Sequence, residues 1–330
     1  MSSSGDLRGY SMSQSFVAAM DGGGSKTLLV VLRQDGAIAD IGRAGGSNPF
    51  DQPLWRETLS GLFARLPPET RAAGLGLAGF GESSTLNQRQ RALISASLPN
   101  IPLSLTNDVD MACTAAFAGQ KGVLLLSGTG SMAWATDGQG HHCRVGGWGS
   151  LFGDEGSAFW IGRKALGLVT ELLDGRNTQD IAFLEPFQKA LDLPSDLTRC
   201  GPALLEWYGN LTHERSAVAA LARIVARLAE QDCPAAIRMM REAATQLAAH
   251  IQTARRKLSR PELPWSYAGG TLQSCFLREA ISESCGTPVA PRLPPIGGGL
   301  LSAARLAGWS VDADWIDRLA ATLEHAGLGN

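Results

Sequence analysis

Gly22-Gly23-Gly24-Ser25 stands between two short apolar runs of strand length, residues 16–20 and 27–33. Glycines followed by Lys26-Thr27 invite comparison with the phosphate loop G-x-x-x-x-G-K-[ST], which needs a strand before it and a helix after it. Met20 occupies that pattern's first glycine position, Ser25 its second, and the apolar run 28–32 continues as a strand. The segment is therefore predicted to be a β-hairpin. An ordinary hairpin turn needs only two residues. Glycines at the tip can take φ > 0 and leave their amides bare, so that N–H groups converge on an anion. Asp21, at the strand end beside the tip, suits a magnesium ion held through water.

The same design recurs. Residues 37–44 read as a third strand after the turn at 34–36, giving a β-meander. Residues 122–140 repeat strand, small-residue turn (Ser127-Gly128-Thr129-Gly130-Ser131), strand and Asp-Gly turn. A second pair matches in the same order: residues 72–80 and 265–274 are each a strand leading through glycines toward a helix. Helices are expected at 51–66, 84–98, 109–119, 295–308 and 311–325, with 178–258 almost wholly helical. Two divergent copies of one α/β unit facing each other across a cleft explain both pairs. The expected domains are 16–118 with 311–330, and 119–310 carrying the helical insertion. Residues 1–15, polar and small, are expected to form a disordered extension and lack the apolar core of a secretory leader.

A net charge of −2 gives no electrostatic footprint for nucleic acid or an anionic membrane, so small-molecule chemistry is favoured. Six cysteines are scattered without a C-x-x-C pair, which argues against a zinc site or a disulfide framework and for a reducing compartment. No apolar run approaches the ~20 residues of a membrane span. A cytoplasmic location is expected. His141-His142-Cys143 is a poor metal site, because neighbours on a strand point to opposite faces.

The set D-G-G-G-S-K-T, T-N-D, S-G-T-G-S, G-G-W-G-x-x-x-G-D-E-G-S and A-G-G-T-L-Q-S resembles the N-acetylglucosamine kinases of the BadF/BadG group, within the hexokinase and actin superfamily. The resemblance runs from about residue 16 to the last helix and is weakest in the helical middle. It implies a two-domain actin-like ATPase fold and ATP-dependent phosphorylation of N-acetylglucosamine, or of glucosamine, with Mg2+. It also implies domain closure over the sugar and a homodimer.

On this resemblance Asp108 is the general base, although a residue between strand and helix can equally cap the helix, as Asn107 can. Asn48, Gly147, Trp148, Gly149 and Asp154 match sugar-contacting positions. An asparagine before proline is also an ordinary turn residue, and Asp154-Glu155 could simply complement a helix dipole. Asp21, Gly22, Gly23, Gly24, Ser25, Lys26 and Thr27 with Gly128, Thr129, Gly130 and Ser131 would hold the phosphates. Gly269, Gly270 and Ser274 would hold adenosine, or form only a tight strand-to-helix turn. Two other readings compete. An ATPase activator of the same family would carry an iron–sulfur cluster, for which these cysteines have no matching arrangement. A sugar-sensing regulator would need a DNA-binding helix-turn-helix for which the tail has no room.

Overall fold

The computed structural model describes residues 15–329; of the expected extension over 1–15, residues 1–14 lie outside the described residues. The chain divides into two compact units, residues 1–119 with 292–330, and 120–291.

The first unit opens with β1 (Phe16–Gly22), β2 (Lys26–Arg33) and β3 (Ile38–Gly45), followed by α1 (Trp55–Phe63), β4 (Thr70–Leu77), α2 (Ser84–Ser97), β5 (Leu103–Thr106) and α3 (Asp108–Ala116). The strands form one sheet in the order β3-β2-β1-β4-β5. β1 pairs antiparallel with β2 and parallel with β4, and β5 extends the parallel half. β1 sits at the centre and is covered on both faces, which is why Val17-Ala18-Ala19-Met20 reads as a continuous apolar run rather than an alternating one.

The second unit repeats this plan: β6 (Gly122–Ser127), β7 (Ser131–Thr136) and β8 (His142–Gly146) form the meander. The helices α4 (Ala158–Leu173), α5 (Leu184–Ala190), α6 (Leu197–Gly209), α7 (Glu214–Ala220), α8 (Ala222–Glu230) and α9 (Pro234–Lys257) follow, then β9 (Trp265–Ala268) and α10 (Cys275–Cys285). The sheet order is β8-β7-β6-β9, with β9 parallel to β6 as β4 is to β1. Its core joins the sheet to α4, α5, α8 and α9 around Trp265, Phe183 and Phe187. A duplicated mixed-sheet α/β fold is therefore present.

The chain then returns to the first unit as α11 (Pro295–Leu306) and α12 (Ala313–His325). The sequence places only 311–330 there; the structure adds α11, because its glycines pack against β1, β4 and α3. The first unit's sheet carries one apolar layer with α1 and α2 on one face and another with α11 and α12 on the other. Gly299 and Gly74 bring helix backbone against strand backbone, and a β-carbon on Gly74 would lie 2.2 Å from the Gly299 carbonyl oxygen. At Gly298 a β-carbon would lie 2.2 Å from the Met111 carbonyl oxygen of α3. Gly298→Ala is expected to destabilise the protein by about 3 kcal/mol through overpacking. A chemical-denaturation midpoint equal to that of the parent protein would contradict this packing.

Candidate active site

Parallel register sets the first half of the site. Asp21 of β1 lies opposite Gly76 of β4, which lies opposite Thr106 of β5. The three parallel strands thus end along one sheet edge, where α/β proteins place their ligands. Asp21 and the hairpin tip Gly23–Ser25 lie there, and Asp108 follows two residues after Thr106.

The tip is held from outside. Gly23 N–H donates to Lys26 O at 2.9 Å and closes the turn. The carbonyls face the segment that follows β3: Gly23 O accepts from Ser47 N–H (3.0 Å) and Gly24 O from Gln52 Nε2 (2.9 Å). Gly24 and Ser25 N–H form no hydrogen bond among the described residues, which leaves two consecutive donors for an anion. The expectation that positive φ explains these glycines is corrected, since Gly22, Gly23 and Gly24 all stay outside the left-handed region. Thinness explains Gly22 instead: a β-carbon there would lie 2.6 Å from Ser47 Oγ and 2.9 Å from Leu77 Cδ2. Ser47, which sequence reasoning passed over, is buried, and its hydroxyl has no partner among the described residues.

Not every matched residue faces the tip. Thr27 is buried and its hydroxyl donates to Gly45 O at 2.8 Å, so it secures β2 to β3. Lys26 and Ser25 are exposed. Asn48 Oδ1 accepts from Phe50 N–H at 3.1 Å, an Asx turn that stiffens the adjoining segment.

Asn107 Oδ1 caps α3 by accepting from Asp110 N–H at 2.7 Å. Asp108 is thereby released from capping, and its Oδ1 accepts from the adjacent Val109 N–H at 3.0 Å. Burial raises the Asp108 carboxyl above the ordinary carboxylate range, nearby N–H groups oppose that shift, and the negative charge of Glu82 adds to it. Burial, reinforced by the charge of Asp108, pushes Asp21 up to about 6, against the pull of Lys26. Two carboxylates that repel one another at a strand edge form a good seat for a hard cation.

The second unit repeats the hairpin. Gly128 N–H donates to Gly130 O at 2.9 Å, and Thr129 and Gly130 N–H have no hydrogen-bond partner among the described residues. The chain leaves β9 at Gly269 (φ +100°) and runs through Gly270 to Ser274, whose Oγ accepts from Leu277 N–H (3.4 Å) and caps α10. Thr271 Oγ1 donates to Gly128 O at 3.3 Å and ties this turn to the hairpin. Between them opens a cleft of about 750 Å³ that Gly128, Thr129, Gly270 and Ser274 line. Gly269, Gly130 and Ser131 do not line it. Sequence reasoning missed the opposite wall, where α7 and α8 supply Ala219, Ala222, Ala226, Arg223 and Arg227. The i, i+4 spacing of Arg223 and Arg227 was the available signal.

Ser131 O accepts from Gly147 N–H at 3.0 Å and starts the Gly147–Gly149 loop from the same hairpin. The loop displays Trp148, 70% exposed, with the Arg144 guanidinium 5.5 Å from its ring centre. Asp154 is the opposite case: it is 2% exposed and its carboxylate is engaged within the protein. No group of three metal-ligating side chains exists among the described residues, and no described helix is long and apolar enough to cross a membrane.

Asp21 has a folded-state pKa above its unfolded value, so the native state binds its proton more tightly. Its ionisation costs stability as pH rises from about 4 to about 6, and the cost persists above. Asp21→Asn should therefore stabilise the metal-free protein at pH 7.5 by about 2–3 kcal/mol. That advantage should vanish below pH 4. Thermal unfolding across this pH range is the measurement, and a variant no more stable than the parent at pH 7.5 would refute the assignment.

Residues 20–303 match the BadF/BadG/BcrA/BcrD ATPase family. An N-acetylmuramic acid/N-acetylglucosamine kinase of Clostridium acetobutylicum is 29% identical over 176 residues, 50% of this chain and 57% of the relative's length. A solved structure of a candidate N-acetylglucosamine kinase from Chromobacterium violaceum is 29% identical, with a TM-score of 0.67 over 89% of this chain and 99% of that one. A ROK-family glucokinase from Streptomyces griseus, in complex with glucose and AMPPNP, shares the fold at 14% identity, with a TM-score of 0.50 over 88% of this chain and 99% of that one. With its duplicated fold and paired glycine hairpins, the chain belongs to the BadF/BadG/BcrA/BcrD ATPase family.

Proposed function

We propose that this protein is an ATP-dependent sugar kinase that transfers a phosphoryl group to the 6-hydroxyl of N-acetylglucosamine. The observation that carries the reading is the release of Asp108 from helix capping by Asn107, which leaves a desolvated carboxylate at the strand edge that also holds the first hairpin. The names of the Clostridium acetobutylicum and Chromobacterium violaceum relatives support an amino-sugar acceptor.

Each residue then has a task. Asp108 accepts the proton of the attacking hydroxyl, and its raised pKa makes it a better base than an ordinary carboxylate. The open N–H pairs at Gly24-Ser25 and Thr129-Gly130 bind phosphate oxygens, with Lys26 adding positive charge. The cleft of about 750 Å³ has the size and the mixed glycine, alanine and hydroxyl lining that suit an adenosine moiety. Asp21, whose charge is costly without a counter-ion, fits a magnesium ion, which would neutralise developing phosphate charge when bound. Trp148 offers a flat apolar face to a sugar ring, and Asn48 adds a polar group beside the first hairpin.

ADP release should be measured with ATP, magnesium and a panel of N-acetylglucosamine, glucosamine, N-acetylmuramic acid and glucose. ADP is expected to form only with a suitable sugar, and fastest with N-acetylglucosamine. Hydrolysis that ignores the sugar would point instead to an ATPase activator. Asp108→Asn should lower kcat at least about a hundredfold. Sugar affinity in that variant, read by calorimetry, should hold; retained turnover would remove Asp108 as the base.

A further inference from the structure

Two arginines line the cleft of the second unit without a partner. Arg223 and Arg227 of α8 are exposed and lie one helical turn apart, and Glu230 lines the same wall three residues on. None of the three side chains forms a hydrogen bond or ion pair among the described residues. Between the charged positions, Ala222 and Ala226 add small apolar surface to the wall.

The fold gives this wall a direction. α7 begins at the second hairpin, where a β-carbon on Gly130 would lie 3.0 Å from the Arg215 guanidinium. It then packs on α4, where a β-carbon on Gly162 would lie 1.9 Å from Val218 O, and α4 is tied to the hairpin by Ala158 N–H donating to Gly128 O at 2.8 Å. Arg223 and Arg227 come eight and twelve residues after Arg215, with both helices leading away from that contact. Met240 marks the same far end. It lines the cleft three residues before Ala243, which with Leu247 presses on Gly156, and Gly156 O accepts from Ser127 Oγ of the hairpin strand at 3.1 Å. The open N–H groups at Thr129-Gly130 thus belong to one end of the cleft and the arginine pair to the other.

We propose that Arg223 and Arg227 are specificity residues for the base of the nucleotide, their guanidinium groups lying flat over a purine and favouring it over a pyrimidine. The inference rests on the reading of this cleft as the nucleotide site. A guanidinium is planar and weakly hydrated, so it stacks on an aromatic ring where an ammonium would stay in water. Arg223 and Arg227 are spaced by about 6 Å along the helix, which suits a bicyclic ring and exceeds a single one. Glu230 beside them repels a phosphate and suits the amine edge of a base, so this end of the cleft is not a second phosphate site.

The test is calorimetric titration with ADP and magnesium, without sugar, followed by displacement with UDP, on the parent protein, Arg223→Gln and Arg227→Gln. Both positions are exposed, so neither substitution disturbs the core. The parent should bind ADP at least about tenfold more tightly than UDP. Each variant should weaken ADP binding about fivefold, the size of a partly desolvated cation–π contact, and change UDP binding by less than about twofold. In turnover the KM for ATP should rise while kcat and the KM for the sugar hold. Unchanged ADP affinity in both variants, or a parent that does not distinguish ADP from UDP, would overturn the proposal. Equal weakening of ADP and UDP would also overturn it, by making the arginines phosphate ligands. A parent protein that binds neither nucleotide would overturn the nucleotide reading itself.

Discussion

Backbone that must touch something with no β-carbon in between sets the terms for this structure. Helix α11 reaches the first sheet because Gly74 and Gly299 meet directly, and the first hairpin nests against Ser47 and Leu77 because Gly22 has no side chain. The second hairpin lets a carboxylate and a guanidinium pass because Gly130 leaves the space. Each close approach leaves no room for a β-carbon. Close packing of this kind has almost no tolerance for added atoms.

The tips gain chemistry from what surrounds them. Neighbouring segments take up the carbonyls of Gly23, Gly24 and Gly128 and the hydroxyls of Ser127 and Ser131, while the consecutive N–H groups at each tip stay open. The carboxylates beside the first tip are held at an energetic disadvantage: burial and the charge of Asp108 lift Asp21 to about 6, and burial with the charge of Glu82 raises Asp108. Such strain is stored at a site rather than relaxed when the groups are needed in an unfavourable state.

Much of the architecture was legible in the sequence because local signals sufficed. Strand length, the Asp-Gly turns and the glycine tips at 22–25 and 127–131 specify the two meanders, and the repeated order of motifs specifies the duplication. The family resemblance also singled out Gly128, Thr129, Gly270 and Ser274, which the fold brings to one cleft. What stayed hidden depends on distant partners. The membership of α11 turns on contacts with Gly74 and Met111, far away in sequence, and the α7–α8 wall lies in a helical stretch with no motif to mark it. Asp154 shows the difference most sharply: its motif is conspicuous, yet its carboxylate is paired with Arg215, 61 positions further along. Thr27 is the converse, a motif residue whose hydroxyl the fold uses for strand pairing.

The first unit is discontinuous, and this bears on how the chain is made. The second unit is one uninterrupted stretch, and all the strands and helices of its core are translated before residue 292 emerges. The first sheet, by contrast, leaves the ribosome with Val17, Ala19, Val30 and Ala72 on an apolar face whose covering by α11 and α12 is still to come. Those helices follow the whole second unit in the chain. The first unit therefore cannot complete this face until the second unit has been translated.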